Sequence, residues 1–401
     1  MPTPAAALGL VVNPVAGMGG RVGLHGTDGP NLALALERGA QPVAGHRARV
    51  ALQRLSRLAP TLTVRTTAGP MGGDHLPAAS WQVVAAEAPA GKTAAADTRD
   101  AVAHLVEAGV ALVLFVGGDG TARDVVAVTG PGFPVLGVPA GVKMHSSVFA
   151  TGPAAAGTIA ARYLLAPELV GTRVGEVLDR DGDGVRIHAV ARVPAAAGAL
   201  QRAKAGPYPD DEADLAALGR EVAAEVPTET LCLLGPGTST AHVAAAWGVP
   251  ASPLGVDVVL DGRPLLIDAT EDQLLDLLAS RPSTRLVLGV IGGQGFLLGR
   301  GNQQLSPAVL AAIGLENVDV LCGVSKIMAL DEPVLRVDLD DPALTDRLTG
   351  YRRVRTAPGR STVLRVAAAE PAELVAPPKL VPPEPSPGGP TDSAPINPSA
   401  A

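Results

Sequence analysis

The run Val110 to Val116 is apolar throughout and ends in Gly117-Gly118-Asp119-Gly120-Thr121, after which Ala122-Arg123-Asp124-Val125-Val126 takes up helical spacing. A continuous apolar run closed by glycine predicts a strand buried on both faces, and such strands belong to parallel sheets flanked by helices. This unit constrains the chain to an α/β fold. Its glycines let the backbone turn tightly beside an anion, while the helix that follows offers unpaired N–H groups and the positive end of its dipole. Asp119 does not suit a loop that only binds anions. Beside a polyphosphate a carboxylate is repelled unless a metal ion intervenes or the acid does chemistry, and accepting the proton of an attacking hydroxyl is the chemistry that fits.

The flanking segments extend the pattern. Leu8 to Val12 predicts a first strand feeding a glycine loop from Gly17 to Gly29, and helical spacing follows from Asn31 to Leu58 with a break near Gly39 to Pro42. Further strands are predicted at Leu62 to Arg65, Trp81 to Ala85 and Pro134 to Val138, and helices at Thr93 to Ala108, Thr121 to Val128 and Ala154 to Leu165. Thr172 to Leu178 and Val185 to Val193 then read as a β-hairpin, which marks a boundary near residue 170. The acidic stretch Ala205 to Glu225 reads as an exposed excursion followed by a surface helix. Strands at Leu231 to Leu234, Gly255 to Leu260, Leu286 to Ile291 and Val318 to Leu321 alternate with helices at Ala241 to Trp247, Glu271 to Leu278 and Pro307 to Ile313. The expected organisation is an N-terminal parallel α/β nucleotide-binding domain over 1–169, a mixed α/β substrate domain over 170–370, and a disordered Pro-rich tail over 371–401.

Composition narrows the partners. With 32 Lys and Arg against 39 Asp and Glu, the net charge of −7 attracts neither nucleic acid nor anionic lipid, and 2% aromatic residues leaves little for base stacking. An anionic ligand must be held by a local site. Met1 to Val12 lacks the basic start of a signal peptide and no run reaches about 18 apolar residues, so a cytoplasmic protein is expected, with its oligomeric state left open. Cys232 and Cys322 lie far apart in apolar runs and read as buried free thiols.

Several loops carry candidate chemistry. Gly17, Gly19 and Gly20 follow the first strand with spacing unlike G-x-G-x-x-G, so a tight structural turn competes with a phosphate or ribose contact; Asn13 and Asp28 are the polar groups nearby. Gly91-Lys92-Thr93 lacks the first glycine of a P-loop, and Thr93 reads first as a helix N-cap. Residues 179–184 match half of a calcium loop but lack its terminal Glu, which favours a solvated turn. Lys143 and His145 follow the strand ending at Val138, where a lysine neutralises phosphate or simply faces solvent. Thr238, Ser239 and Thr240 supply three hydroxyls at a helix start, more than an N-cap needs. Gly292-Gly293-Gln294-Gly295 through Arg300-Gly301-Asn302-Gln303-Gln304 offers amides suited to a sugar or phosphate, with an ordered turn as the alternative.

Taken together, the GGDGT loop, Asn13-Pro14-Val15-Ala16-Gly17-Met18-Gly19-Gly20, Gly26-Thr27-Asp28-Gly29, Gly137 to Ser146 and Ile291 to Phe296 resemble the ATP-NAD kinase family, within the NAD kinase and diacylglycerol kinase superfamily. The chain is most similar to the divergent branch that includes the acetoin-operon X-type proteins. The resemblance implies transfer of the γ-phosphoryl group of ATP, or of inorganic polyphosphate, to the 2′-hydroxyl of NAD. Asp119 would be the general base, with Gly117, Gly118, Gly120, Thr121, Asn13, Lys143 and the hydroxyls at 238–240 binding substrates, and Asp124 holding Mg²⁺. Gly235-Pro236-Gly237-Thr238-Ser239-Thr240-Ala241-His242 resembles the family's T-P-T-G-S-T-A-Y element with permuted positions and His242 in place of the tyrosine. The family's Asn-Glu or Asn-Asp pair has no counterpart, since Asn302 precedes Gln303 and Asn317 precedes Val318. A different hydroxyl acceptor and a non-catalytic nucleotide sensor therefore stand as alternatives.

Overall fold

The structure, a computed structural model, describes residues 6–369 except 25, 28, 77–81, 84–92, 182–183, 197–198, 202–210, 281–282 and 331. The expected tail, Asp28 and the Gly91-Lys92 pair lie outside the described residues, as does the start of the acidic excursion.

Five strands form a first, all-parallel sheet: β1 Leu8–Val12, β2 Val64–Thr66, β3 Gln82–Val83, β4 Leu112–Gly117 and β5 Val135–Pro139, in the order β3-β2-β1-β4-β5. Every residue of β1, β4 and β5 is buried, as unbroken apolar runs require. Helices Ala44–Leu58 and Pro153–Leu165 pack on one another and on β5, and the helices Ala95–Glu107 and Asp119–Thr129 form a second such pair. Small residues allow the first contact: a Cβ on Gly157 would lie 2.2 Å from the carbonyl oxygen of Ala51. The break foreseen near 39–42 separates Asn31–Glu37 from Ala44–Leu58.

The hairpin is β6 Thr172–Asp181 with β7 Gly184–Pro194, antiparallel with an irregularity between Val177 and Leu178. Its Val177, Ala191 and Val193 join the core of the first sheet, although the sequence reading sets the hairpin at the start of a second domain.

The second sheet has nine strands: β8 Leu231–Leu234, β9 Asp257–Leu260, β10 Arg263–Leu266, β11 Thr284–Gly289, β12 Phe296–Leu298, β13 Val318–Leu321, β14 Val334–Val337, β15 Gly350–Ala357 and β16 Arg360–Ala368. Their order is β10-β9-β8-β11-β13-β15-β16-β14-β12. The centre, β8-β11-β13-β15, is parallel, while β9, β10 and the β15–β16 hairpin are antiparallel. One core holds Leu286, Val309 and Leu335, and another joins the helix Glu212–Glu225 to Thr238–Trp247. Both cysteines are buried free thiols.

A buried ionic triad joins the two halves. Arg47 donates to Asp338 at 2.7 and 3.0 Å and to the Pro139 carbonyl at 2.7 Å, while Arg300 approaches the same Asp338 at 3.0 Å and donates to the Thr151 carbonyl at 2.8 Å. Among the described residues no helix is long and apolar enough to cross a membrane.

Candidate active site

The C-terminal ends of β1, β4 and β5 open into a cleft of about 670 Å³. Asn13, Gly17, Thr93, Gly118, Asp119, Gly120, Thr121, Asp124, Lys143, His145 and Asp179 line it. Residues over 100 positions apart in sequence meet here because parallel strands bring their loops to one edge.

The GGDGT loop is shorter than its sequence suggests. Gly117 ends β4, Gly118 stands at the helix N-cap in an extended conformation, and Asp119 already belongs to the helix. Packing accounts for two of the glycines, one within the loop and one against the neighbouring strand-end loop. A Cβ on Gly117 would sit 2.3 Å from the Thr121 hydroxyl, and one on Gly118 would sit 3.1 Å from Gly141 Cα. The Gly117 carbonyl accepts from Ala140 N at 2.9 Å and Gly141 N at 3.1 Å, which locks the two strand-end loops together. Gly120 differs, since a Cβ there would meet nothing within 4 Å and the residue borders the cleft.

Asp119 is 9% exposed, and its two oxygens accept from His145 N at 2.7 Å and Ser146 N at 3.1 Å. Burial pushes its pKa up to about 6, against the Ser146 hydroxyl and the backbone N–H groups of His145 and Ser146, which favour the ionised form; Asp179 adds to the rise by repulsion. A carboxylate held in this state suits proton transfer near neutral pH. Asn13 donates to the Thr121 hydroxyl at 3.0 Å and accepts from Val15 N at 3.3 Å, so it ties the first glycine loop to the helix of Asp119.

Other expected ligand groups are engaged within the protein. Gly17 borders the cleft with φ 80°, and a Cβ there would lie 2.0 Å from the Ala140 carbonyl oxygen. Gly19 and Gly20 do not line the cleft; they abut Leu24 and Gln303, so packing accounts for both glycines. Asp124, expected to hold magnesium, receives Arg99 at 2.8 Å. Asp179 pairs with Arg123. Among the described residues no group of three His, Cys, Asp or Glu side chains is arranged to hold a metal. Thr93 lies on the cleft wall and is not the N-cap of the helix Ala95–Glu107; Ala94 holds that place, with its N–H donated to Asp97 at 2.7 Å.

A second cavity of about 520 Å³ shares Lys143 and His145 with the cleft and continues it into the second half of the chain. Of the three hydroxyls at the start of the helix Thr238–Trp247, only Thr238 borders it. The Thr240 hydroxyl is held by the carbonyls of Gly237 at 2.9 Å and Gly235 at 2.5 Å, and Ser239 is buried with no hydrogen-bond partner for its hydroxyl among the described residues. His242 is not on the wall; its Nε2 lies 3.5 Å from Glu212. The amide-rich loop is tied to the protein, and Gln294, Gly301 and Asn302 also border this cavity: Gln294 donates to the Met144 carbonyl at 2.9 Å, Gln303 and Gly301 N to the Val142 carbonyl at 3.0 Å each, and Asn302 to the Leu297 carbonyl at 2.9 Å. It clamps the segment that carries Lys143 and His145. Sequence reading overlooked Arg123 and Lys326 in these walls, and placed Asp179 in a solvated turn. Lys326 follows a strand end after Cys322-Gly323, and that position was its one available signal.

Residues 8–167 match the ATP-NAD kinase N-terminal domain and residues 220–366 the ATP-NAD kinase C-terminal domain. The chain belongs to the ATP-NAD kinase family. No curated protein and no solved structure matches it. Residues 168–219 lie between the two family matches, and this stretch supplies β6 and β7. In this family member the hairpin backs the segment whose N–H groups hold Asp119: the Ser146 hydroxyl accepts from Leu178 N at 2.9 Å, and Ser147 N donates to the Glu176 carbonyl at 2.9 Å.

Proposed function

We propose that the protein transfers the γ-phosphoryl group of ATP, or a terminal phosphoryl of polyphosphate, to the 2′-hydroxyl of NAD, giving NADP. The observation that carries this reading is Asp119, a buried carboxylate near pKa 6 at the head of the helix behind the GGDGT turn. It accepts the hydroxyl proton as the oxygen attacks phosphorus. The donor phosphates lie in the N-terminal cleft against Gly118, Gly120 and the N–H groups of the helix start, with Thr121 and Asn13 holding the shape of that corner. Lys143, shared by both cavities, faces the charge that develops between donor and acceptor. The acceptor occupies the second cavity beside Thr238.

A magnesium ion would be carried by the polyphosphate, because Asp124 and Asp179 already pair with arginines and Asp119 with backbone N–H groups. It would supply neutralisation of charge on the phosphates. The test is NADP formation by the purified protein from NAD, ATP and Mg²⁺, set beside Asp119→Asn. Equal rates in both remove Asp119 from the mechanism, and no NADP from either removes NAD as the acceptor. A second reading keeps the kinase and changes the acceptor. It is favoured by His242, which stands in place of the family tyrosine and turns to Glu212 away from the cavity.

A further inference from the structure

The cavity beyond Lys143 and His145 is walled largely by apolar groups, among them Met144, Pro236, Ala241, Leu254, Val290 and Ile291. Two cations in its wall are more than nine-tenths buried, Arg300 at 4% exposure and Lys326 at 8%. Arg300 is ion-paired with Asp338 at 3.0 Å and stacks on Phe296, 4.7 Å from the ring centre, with its Nε alone lacking a hydrogen-bond partner among the described residues. Lys326 is held differently. Among the described residues its Nζ makes one hydrogen bond, to the Val290 carbonyl at 3.2 Å, and no ion pair. An ammonium has three donors, so two are left for something else.

The surroundings hold this lysine in place and offset its charge only in part. Lys326 sits on the short helix Val324–Met328, whose first turn is pinned by the buried Asp211 accepting from Ser325 N at 3.0 Å and Lys326 N at 3.3 Å. That carboxylate accepts from backbone N–H groups and makes no hydrogen bond to Nζ; burial pulls the lysine pKa down, outweighing the pull of Cys322 and Asp211 toward the charged form. A cation kept in an apolar wall with a single carbonyl partner lowers the stability of the empty protein, and an anion entering the cavity reverses that cost.

We infer that Lys326 is the counter-charge for an oxyanion, phosphate or carboxylate, carried by the phosphoryl acceptor. The acceptor is then an anionic alcohol whose apolar part lies against Met144, Val290 and Ile291 while its hydroxyl points back toward Asp119. This rests on the phosphotransferase reading of Asp119.

The test compares wild type with Lys326→Met, which keeps length and removes charge, and with Lys326→Arg, which restores charge. Calorimetry with ADP saturating the donor site measures binding of ADP-ribose and of uncharged adenosine. ADP-ribose binding weakens roughly tenfold to a hundredfold in K326M and recovers in K326R, while adenosine binds all three alike. K326M without ligand melts at or above the wild-type temperature, the opposite of a lysine kept for structure. ADP release from ATP is then followed with three matched pairs: NAD and adenosine, glycerol 3-phosphate and glycerol, and glycerate and ethylene glycol. Turnover of glycerol 3-phosphate or glycerate but not NAD, with KM raised in K326M and kcat retained, overturns the NAD reading and supports this one. Equal kcat/KM for a charged and an uncharged partner overturns this inference and leaves the kinase reading standing. The absence of both turnover and charge-dependent binding overturns both.

Discussion

Asp119 titrates where the proposed mechanism can be read from a pH profile. With its pKa pushed up to about 6, the carboxylate is about nine-tenths ionised at pH 7 and about one-tenth at pH 5. Acting as the base, it makes kcat/KM for the acceptor fall about tenfold per pH unit below 6 and level off above about 7. A carboxylate at the usual value near 4 would leave the profile flat down to about pH 5. Asp119→Asn removes the limb and lowers kcat by about 10²- to 10⁴-fold. Because a terminal phosphate also titrates near pH 6, a second variant separates the two. Ser146→Ala deletes a hydroxyl that favours the ionised form of Asp119, so the limb moves upward, whereas a limb belonging to the nucleotide stays in place. Initial rates from pH 5 to 8.5, read through an NADP-specific dehydrogenase, decide the matter. A midpoint below about 5, or a limb that survives in D119N and is unmoved in S146A, refutes the reasoning.

The same shift has a stability sign. The folded pKa of Asp119 lies above its unfolded value, so its contribution is fully present below about pH 4 and is lost as pH rises through about 6. The rise from 3.8 to about 6 amounts to about 3 kcal/mol at neutral pH. Asparagine does not ionise, so D119N gains stability relative to wild type between about pH 4 and 7. Urea unfolding at both pH values checks this, and parallel curves would contradict it.

Three further outcomes follow from the packing. Asp338→Asn leaves Arg47 and Arg300 buried beside each other and costs about 3–5 kcal/mol in urea unfolding, and a loss under about 1 would contradict a structural triad. Gly141→Ala places a methyl 2.8 Å from Gly118 Cα, so it forces the two strand-end loops apart and lowers kcat; wild-type kinetics would rule out that tight contact. Cys232 and Cys322, both pushed up to about 12 by burial, stay unreactive to Ellman's reagent at pH 8 in the native protein and react after unfolding; rapid native labelling would show that one is accessible.

The first sheet was legible because each of its main strands carries its own signal. Leu8–Val12 and Leu112–Gly117 are apolar end to end and closed by turn residues, so local pattern and buried position agree. The second half hid more. In β15, Gly350–Ala357, polar residues outnumber apolar ones and burial is confined to its last four residues, so neither alternation nor an unbroken apolar run announces it. β10, Arg263–Leu266, is an edge strand with a proline and three exposed residues, and only its pairing to β9 defines it.

The site divides along the same line. Asp119 was legible because a carboxylate among glycines at a strand end is chemically incongruous in any fold. The amides at 294 and 303 left a ligand contact and an ordered turn both open, because an amide donor has the same appearance in sequence whether it meets a sugar or a carbonyl of its own chain. Their partners are the carbonyls of Met144 and Val142, about 150 positions away and brought near only by the packing of the two halves. That clamp fixes the segment whose His145 and Ser146 N–H groups hold Asp119, so the second half sets the geometry of a proposed base lying wholly in the first. A substitution such as Gln294→Leu, which touches no ligand group in the cleft of Asp119, is therefore expected to loosen this segment and lower kcat more than it raises the KM for ATP. An unchanged kcat with a raised KM for the acceptor, whose cavity Gln294 borders, would instead give the amide the role of a substrate contact.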